Sequence, residues 1–505
     1  MRCLTLAEAF KKNGASVLFI FRYYPGNLNH LIINKDFQVI GLPQPDFSGS
    51  RVNKEASNGD DYRAWLGFSE KQDANDTIRA IGDDKPDWLI LDHYAIGEQW
   101  EKMLRPHVKN IMVIDDLANR RHDCDLLLDQ NWFENRETRY DDLVSAGCTK
   151  LLGPEYALLR SEFADARKKV KLRTGEVQRI FVFFGSVDSK NMTAKTLRAL
   201  SGPELTHLAV DVVIGENNPN RNEIHELAVT RDNFYLHIQV DDIAGIMAKA
   251  DLAIGSGGVN TWERMCLGLP SLTISIADNH HLLLKDLAKN GYVTHLGRGT
   301  DVDETRIKSK FLEKTADNSS VFNQSKRTVD LVKGDGSKLV VEWLTGSLID
   351  KKWKVKSATA QNMELYWDWV NDEEVRNNAI NKKLIPWEDH VTWFNEKLDD
   401  EKCSFYLILV DNYPIGQVRF EDEGNFSRID YSIARQFRER KLGKMLLNKA
   451  IKEYQKHNNT TILGEVIPDN FSSAKIFESL GFSMKINRDN IIYTKELGVL
   501  TKVNE

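Results

Sequence analysis

In this 505-residue chain, the residues best suited to chemistry form one run, Ser256-Gly257-Gly258-Val259-Asn260-Thr261-Trp262-Glu263. An apolar strand ends at Ile254, a glycine-rich turn follows, and a helix starts near Asn260. Backbone N–H groups at a helix N-terminus are ready donors to an anion, and glycines let a phosphate come close to the main chain. Glu263, one turn into the helix, is suited to accept two hydrogen bonds from a ribose diol. Gly268 and Pro270 end the helix. The same pattern also serves as a tight strand-to-helix turn that holds no ligand. Two other runs stand out. "WLILDHY" at Trp88–Tyr94 is a buried strand ending in Asp92, His93 and Tyr94; a lone histidine there more often serves structure than catalysis. "IDYSIARQFRERKLGKMLLNKAI" joins a strand (Ile429–Ile433) to a basic turn and a helix with Leu442, Met445, Leu446 and Ala450 inward.

The elements that must position these residues alternate short apolar runs with amphipathic stretches over the first two-thirds of the chain. Further strands are expected at "NIMVIDDLANR", "RIFVFFGSVDS", "LAVDVVIGENN" and "PSLTISIADNH". Continuous apolar strands separated by helices predict parallel sheets covered on both faces. Ligands of such sheets sit beyond the carboxyl ends of the strands, where Asp92, His93, Tyr94, Gly185, Ser186, Gly215, Ser256, Gly257 and Asn279 fall. Polar stretches at Glu162–Gln178 and Thr345–Thr359 divide the chain into three expected domains, 1–165, 166–346 and 352–500. The last changes texture: two helices (Met363–Val370, rich in aromatics and read as core, and Trp387–Leu398), then strands Ser404–Val410, Ile415–Glu421 and Ile429–Ile433. The chain opens on a helix, Met1–Phe10, before a strand at Ala15–Phe21, with no strand ahead of it.

Net charge is −6 with no long basic run, which argues against nucleic acid or an anionic membrane as the main partner. The five cysteines (Cys3, Cys124, Cys148, Cys266, Cys403) form no paired or Cys/His pattern, so no disulfide framework and no metal site is expected. There is no membrane-spanning run and no secretory signal pattern, and a cytoplasmic location is expected.

The pieces "MRCLTLAEAF", "DWLILDHYAIGEQWE", "IDDLANRRHDCDLLLDQN", "LLGPEYALLRSEF", "FFGSVDSKNMT" and "GSGGVNTWERMCLGLPSLTISIADNH" follow one another in order. Over about residues 1–345 the chain resembles the UDP-2,4-diacetamido-2,4,6-trideoxy-β-L-altropyranose hydrolases of pseudaminic acid biosynthesis. The resemblance implies a GT-B-like pair of Rossmann-like domains with the UDP-sugar in the cleft between them. It implies that Ser256, Gly257, Gly258 and Thr261 hold the diphosphate and Glu263 the ribose, with Asn260 also in the UDP-sugar site. Gly215 and Asn217 would lie near the uracil, and Tyr94 and Asn279 would reach the sugar. His281 and the single glycine of "FFGSVDS" depart from the family pattern. The implied reaction is inverting: water attacks the anomeric carbon and UDP leaves. In the family the base is a histidine in a Gly-x-Gly-His loop directly before the Met-Arg-Cys helix. This sequence starts at that Met, and His93 is the nearest candidate that remains. The expectation is that the first strand and loop are missing, that their sheet neighbours stand unpaired beside an open hydrophobic groove, and that Met1 is an internal methionine taken as a start.

Residues of about 352–497 resemble the GNAT superfamily of acetyl-CoA-dependent N-acetyltransferases, an α+β fold. The supporting runs are "IDYSIARQFRERKLGKMLLNKAI" and "GEVIPDNFSSAKIFESLGF". The family pattern Gln/Arg-x-x-Gly-x-Gly/Ala grips the CoA pyrophosphate. Here it falls on Arg438 to Gly443, with Lys441 at the first glycine position and Ile433, Arg440 and Lys444 beside it. Asn470 and Ser473 would touch the pantetheine arm. Glu465 would be the base for the incoming amine, and Phe477 stands where a tyrosine acid is common. The two resemblances belong to one pathway. They imply a bifunctional enzyme that N-acetylates a UDP-4-amino-sugar with acetyl-CoA as co-substrate and no metal, then releases UDP from the diacetamido product. The alternatives are a non-catalytic UDP-sugar-binding module serving the acetyltransferase, or a GT-B glycosyltransferase.

Overall fold

The computed structural model describes residues 1–24, 27, 29–44, 62–346, 348–487 and 490–497; the expected end of the last domain at 500 falls outside them. In the first unit, two parallel strands, β1 (Leu18–Arg22) and β2 (Gln38–Leu42), form one small sheet. Four more, β3 (Trp88–Leu91), β4 (Asn110–Ile114), β5 (Leu126–Asp129) and β6 (Thr149–Leu152), form a second parallel sheet in sequence order. The helix Arg2–Lys12 buries Leu4, Leu6, Ala7 and Phe10, and Lys11 and Lys12 in its last turn suit the negative end of its dipole. The first strand begins at Leu18, three residues later than the apolar run suggests, because Gly14 turns the chain at φ +81° after the helix.

The second unit is one six-stranded parallel sheet. Its strands are β7 (Arg179–Phe183), β8 (Ala209–Ile214), β9 (Phe234–Ile238), β10 (Leu252–Ser256), β11 (Ser271–Ser275) and β12 (Thr294–Arg298), in the order β9-β8-β7-β10-β11-β12. This is the doubly wound order, which reverses between β7 and β10. Its central strands are fully buried, as their unbroken apolar runs require: Ile180, Phe181, Val182, Leu252, Ala253 and Ile254 are each 0% exposed.

The polar stretch expected to link these units is instead held down. Residues Ser161–Arg167 are helical, Arg167 donates to the carbonyls of Cys266, Val329 and Val332, and the buried Arg173 donates to those of Ala250, Met247, Ala248 and Leu267. Two arginines that read as solvent-facing charge are here satisfying helix-terminal carbonyls. The helix Gly336–Thr345, expected with the second unit, packs on the first. Its Val340, Val341, Trp343 and Leu344 share one core with Leu6, Phe10 and Met112.

The third unit is a seven-stranded sheet of β13 (Trp353–Ser357), β14 (Cys403–Val410), β15 (Tyr413–Asp422), β16 (Phe426–Ile433), β17 (Thr461–Val466), β18 (Ser483–Ile486) and β19 (Ile491–Glu496), in the order β13-β14-β15-β16-β17-β19-β18. All neighbours are antiparallel except β16 and β17. The helices Met363–Val370 and Trp387–Asp399 match expectation, and the core reading of the aromatic helix holds, with Leu365, Tyr366 and Trp369 buried. No helix among the described residues is long and apolar enough to cross a membrane.

Candidate functional site

The first candidate site lies at the carboxyl ends of β3, β4 and β10. After β10, Gly258 turns the chain at φ +88° into the helix Val259–Cys266. A side chain at Gly257 would put its Cβ 2.9 Å from that of His280, so the turn is glycine because His280 lies against it. His280 sits in the first turn of the helix Asp278–Lys289, and its Nδ1 is buried with no hydrogen-bond partner. Burial lowers its pKa while the charge of Asp116, from the first unit, opposes that shift. Asp116 also accepts from Arg2 Nη1 at 3.0 Å and holds the Tyr94 phenol, whose pKa burial and Asp116 together raise. Arg2 spans to Asp92 through Nε and Nη2 at 2.9 and 2.7 Å. Asp116 thus acts on both Tyr94 in its own unit and His280, which lies against the glycine turn of the other. Arg2, Asp116 and His280 were not singled out from the sequence; only the ends of the "IDD" and "ADNHH" runs hinted at them.

Beneath the turn lies a second unexpected charge. Arg264 is 1% exposed and donates to the Ser256 carbonyl at 2.7 Å, to Ser271 Oγ at 3.1 Å and to Thr261 Oγ1 at 3.3 Å. Burial pulls its pKa down to about 10, against the attraction of Glu263. Thr261 therefore turns its hydroxyl inward to Arg264, not outward to a ligand. Glu263 is 7% exposed with Arg160 at 3.6 Å, and burial raises its pKa against the charge of Arg160. Ser256 is buried, Asn260 is half-buried, and Asn279 is exposed beside His280. Gly215 follows β8, donates to the Ser186 carbonyl at 3.0 Å and precedes the exposed Asn217. His93 accepts the Ala95 N–H on Nδ1 at 3.1 Å, and burial lowers its pKa. That ring nitrogen is committed to the local turn.

Next to this site is a cavity of about 1650 Å³. It is lined by β1 residues Leu18–Arg22 and β3 residues Trp88–Leu91, with Ala7, Phe10, Ile81 and Ile96 in its walls and Arg22, Asp73, Asp92 and His93 among its polar lining. β1 and β3 are both sheet edges, and both border the cavity.

The second candidate site is in the third unit. The parallel strands β16 and β17 pair only from Phe426 to Ile429, so Asp430–Ile433 and Glu465–Val466 diverge and leave a wedge. Tyr431 lies in the diverging part and donates its O–H to Ser473 Oγ at 3.0 Å, with its pKa pushed up by burial to about 12. It supplies a phenol near Phe477, whose ring centroid is 6.0 Å away. The other expected residues are more engaged than the pattern suggests. Glu465 accepts from Arg428 and Asn490, each at 2.8 Å. Asn470 caps the helix Phe471–Ser479 by accepting the Ser473 N–H at 3.1 Å. Arg438 pairs with Asp372 and Glu374 at 2.7 and 2.9 Å. Arg440 turns away to the carbonyls of Trp343 and Leu344. That leaves the backbone of the turn, the exposed Lys441 and Lys444, and Gly443 at the start of the helix Gly443–Tyr454. No cluster of metal-ligating side chains occurs among the described residues.

Residues 363–482 match the acetyltransferase (GNAT) family. An uncharacterized protein of Methanocaldococcus jannaschii is 24% identical over 449 residues, 83% of this chain and 86% of that protein. The UDP-2,4-diacetamido-2,4,6-trideoxy-beta-L-altropyranose hydrolase of Campylobacter jejuni is 27% identical over 215 residues, 43% of this chain and 76% of the hydrolase. The spore coat polysaccharide biosynthesis protein SpsG of Bacillus subtilis is 31% identical over 157 residues, 31% of this chain but only 46% of that protein. The chain thus joins a segment similar to a UDP-sugar hydrolase to a C-terminal segment that matches the GNAT acetyltransferase family.

Proposed function

We propose that the chain is a bifunctional nucleotide-sugar enzyme of pseudaminic acid biosynthesis, with its first two units in a GT-B-like arrangement. The carrying observation is the glycine turn at Ser256–Gly258, which opens a helix N-terminus with His280 packed against it, a histidine that feels the charge of Asp116 from the other unit. In the acetyl-transfer step, the 4-amino group of a UDP-4-amino-sugar attacks the thioester carbonyl of acetyl-CoA. The C–S bond breaks, CoA leaves as thiolate, and the amine proton passes to a base. The wedge between β16 and β17 suits the pantetheine arm, and Tyr431 is the candidate donor to the thiolate. In the hydrolytic step, water attacks the anomeric carbon of the diacetamido sugar and the bond to the diphosphate oxygen breaks. The helix N-terminus with its buried Arg264 stabilises the departing UDP.

The test is incubation with UDP-4-amino-4,6-dideoxy-β-L-AltNAc and acetyl-CoA, following free CoA, the diacetamido product and UDP. Absence of both CoA and the diacetamido product refutes the transferase half. One observation favours a second reading for the other half: His93, the candidate base, has its Nδ1 committed to the Ala95 N–H. On that reading this half binds UDP-sugar and passes it to the acetyltransferase. Tight UDP binding without UDP release on the same chain supports the binding module; turnover supports the hydrolase.

A further inference from the structure

The turn between β16 and the helix Gly443–Tyr454 is built against its own backbone preferences. Glu439 and Lys441 both have φ +59°, a left-handed conformation that costs a residue with a Cβ and suits glycine. Such strain persists only where the surroundings enforce it. Here the surroundings belong to another domain. Arg440, between the two strained residues, donates Nη1 to the Trp343 carbonyl and Nη2 to the Leu344 carbonyl at 2.7 Å. These carbonyls lie in the last turn of the helix Gly336–Thr345, which has no later residues of its own to satisfy them and carries the negative end of the helix dipole. Among the described residues no carboxylate neutralises the guanidinium, and burial pulls its pKa down to about 10. Two flanking contacts tie the same segment to the first unit. Gln436 donates to the Gly147 carbonyl at 3.1 Å and Thr149 Oγ1 at 2.8 Å, and Lys109 lies 3.3 Å from Glu439. The Leu344 carbonyl also accepts Trp88 Nε1 at 3.0 Å, so the edge strand β3 shares the anchor.

We infer that Arg440 is a positioning residue for acetyl-CoA: by clamping the C-terminal carbonyls of the Gly336–Thr345 helix it holds the Arg438–Leu442 turn in the strained shape whose backbone amides receive the pyrophosphate. The UDP-sugar half of the chain is then part of the acetyltransferase's cofactor site. This rests on the reading of that turn as a CoA site. A bare structural contact would stabilise the protein without tuning cofactor affinity.

The experiment is CoA binding by calorimetry on the full 505-residue chain, with melting followed in parallel. Arg440→Met keeps the side-chain stem and removes both donors. Its CoA Kd is expected to rise about tenfold or more as the turn relaxes. Arg440→Lys, which reaches one carbonyl at a time, is expected to fall between it and the unsubstituted chain, and it keeps the test alive should Arg440→Met not fold. Adding Glu439→Gly and Lys441→Gly to Arg440→Met is expected to recover most of the loss, because glycine adopts the turn without the clamp. Unchanged Kd in folded Arg440→Met or Arg440→Lys overturns the inference. So does a weaker Kd that the glycine pair leaves untouched, which marks a general packing defect. If the unsubstituted chain does not bind CoA, the acetyltransferase reading itself falls, and the inference with it.

Discussion

The two parallel assemblies of the first 346 residues differ most at one place, next to β3. In the second, β7 occupies the middle, flanked by β8 and β10, and the order is β9-β8-β7-β10-β11-β12. In the first, the order is β2-β1 and, separately, β3-β4-β5-β6, with the cavity between β1 and β3. In strand order, the cavity between β1 and β3 takes the place that β7 has between β8 and β10. The consequence shows in burial. Leu252, Ala253 and Ile254 of β10 are sealed at 0% exposure, whereas Trp88, Leu89 and Ile90 of β3, the equivalent strand, are only half-buried. A central parallel strand is shielded on two faces and both edges; removing its neighbour opens one edge, and apolar side chains on both faces of the sheet lose cover with it.

The largest expected effect comes from making the first assembly like the second. A chain extended upstream of Met1 by an apolar strand of about five residues and a glycine-rich loop bearing a histidine is expected to place that strand between β1 and β3. The helix Arg2–Lys12 then becomes the right-handed crossover from the added strand to β1. UDP release from the diacetamido substrate is expected to rise by about 10²- to 10⁴-fold, the range a general base contributes, and amide hydrogen exchange in β1 and β3 to slow. Faster exchange or unchanged release in the extended chain shows that the likeness of the two sheets is only formal.

A smaller effect sharpens the same contrast inside the existing chain. Leu272 on β11 is 0% exposed in the complete sheet, and Leu272→Ala is expected to cost about 2–5 kcal/mol. Leu89 on β3 already borders the cavity, so Leu89→Ala removes fewer contacts and is expected to cost about 1 kcal/mol. Urea denaturation of both variants checks the order; equal costs deny that β3 is the looser strand.

Much of this architecture is legible from the sequence because it rests on local pattern. The strands around "NIMVI", "RIFVF", "DLAIGS" and "PSLTIS" are apolar throughout and fall where expected. The glycine turn before Val259 and the helix after Gly443 follow from backbone needs that single residues announce. What stayed hidden depends on partners far along the chain. Arg264 and Arg173 look like solvated charge, yet they end up buried because carbonyls in other elements take their donors. Arg440 reads as a phosphate ligand, but its partners lie about a hundred residues away on a helix whose amphipathic pattern does not say which sheet it will cover. Tyr431 is one of several aromatics in its strand region, and only the divergence of β16 from β17 gives its hydroxyl a place in a site.

A last effect tests the first assembly by pH. Asp129 ends β5 in the first assembly, 2% exposed, accepting from the Asn131 N–H at 2.9 Å and from Tyr140 at 3.1 Å, with Arg139 at 3.5 Å. Burial outweighs these partners and pushes its pKa up to about 7. An unfolded aspartate titrates near about 3.9. The folded state therefore binds the proton more tightly than the unfolded chain, so this group favours folding most below about pH 4 and progressively less as pH rises through 7. Asp129→Asn mimics the protonated form in size and charge. It is expected to remove the part of the pH dependence between 4 and 7 that arises from this site, leaving the variant relatively more stable at pH 8 than at pH 5 when each is compared with the unsubstituted chain. Denaturant midpoints at the two pH values give the comparison. An equal shift at both values means that the Asn131 and Arg139 contacts, not burial, govern Asp129, and that the first assembly seals its carboxyl end better than its open edge suggests.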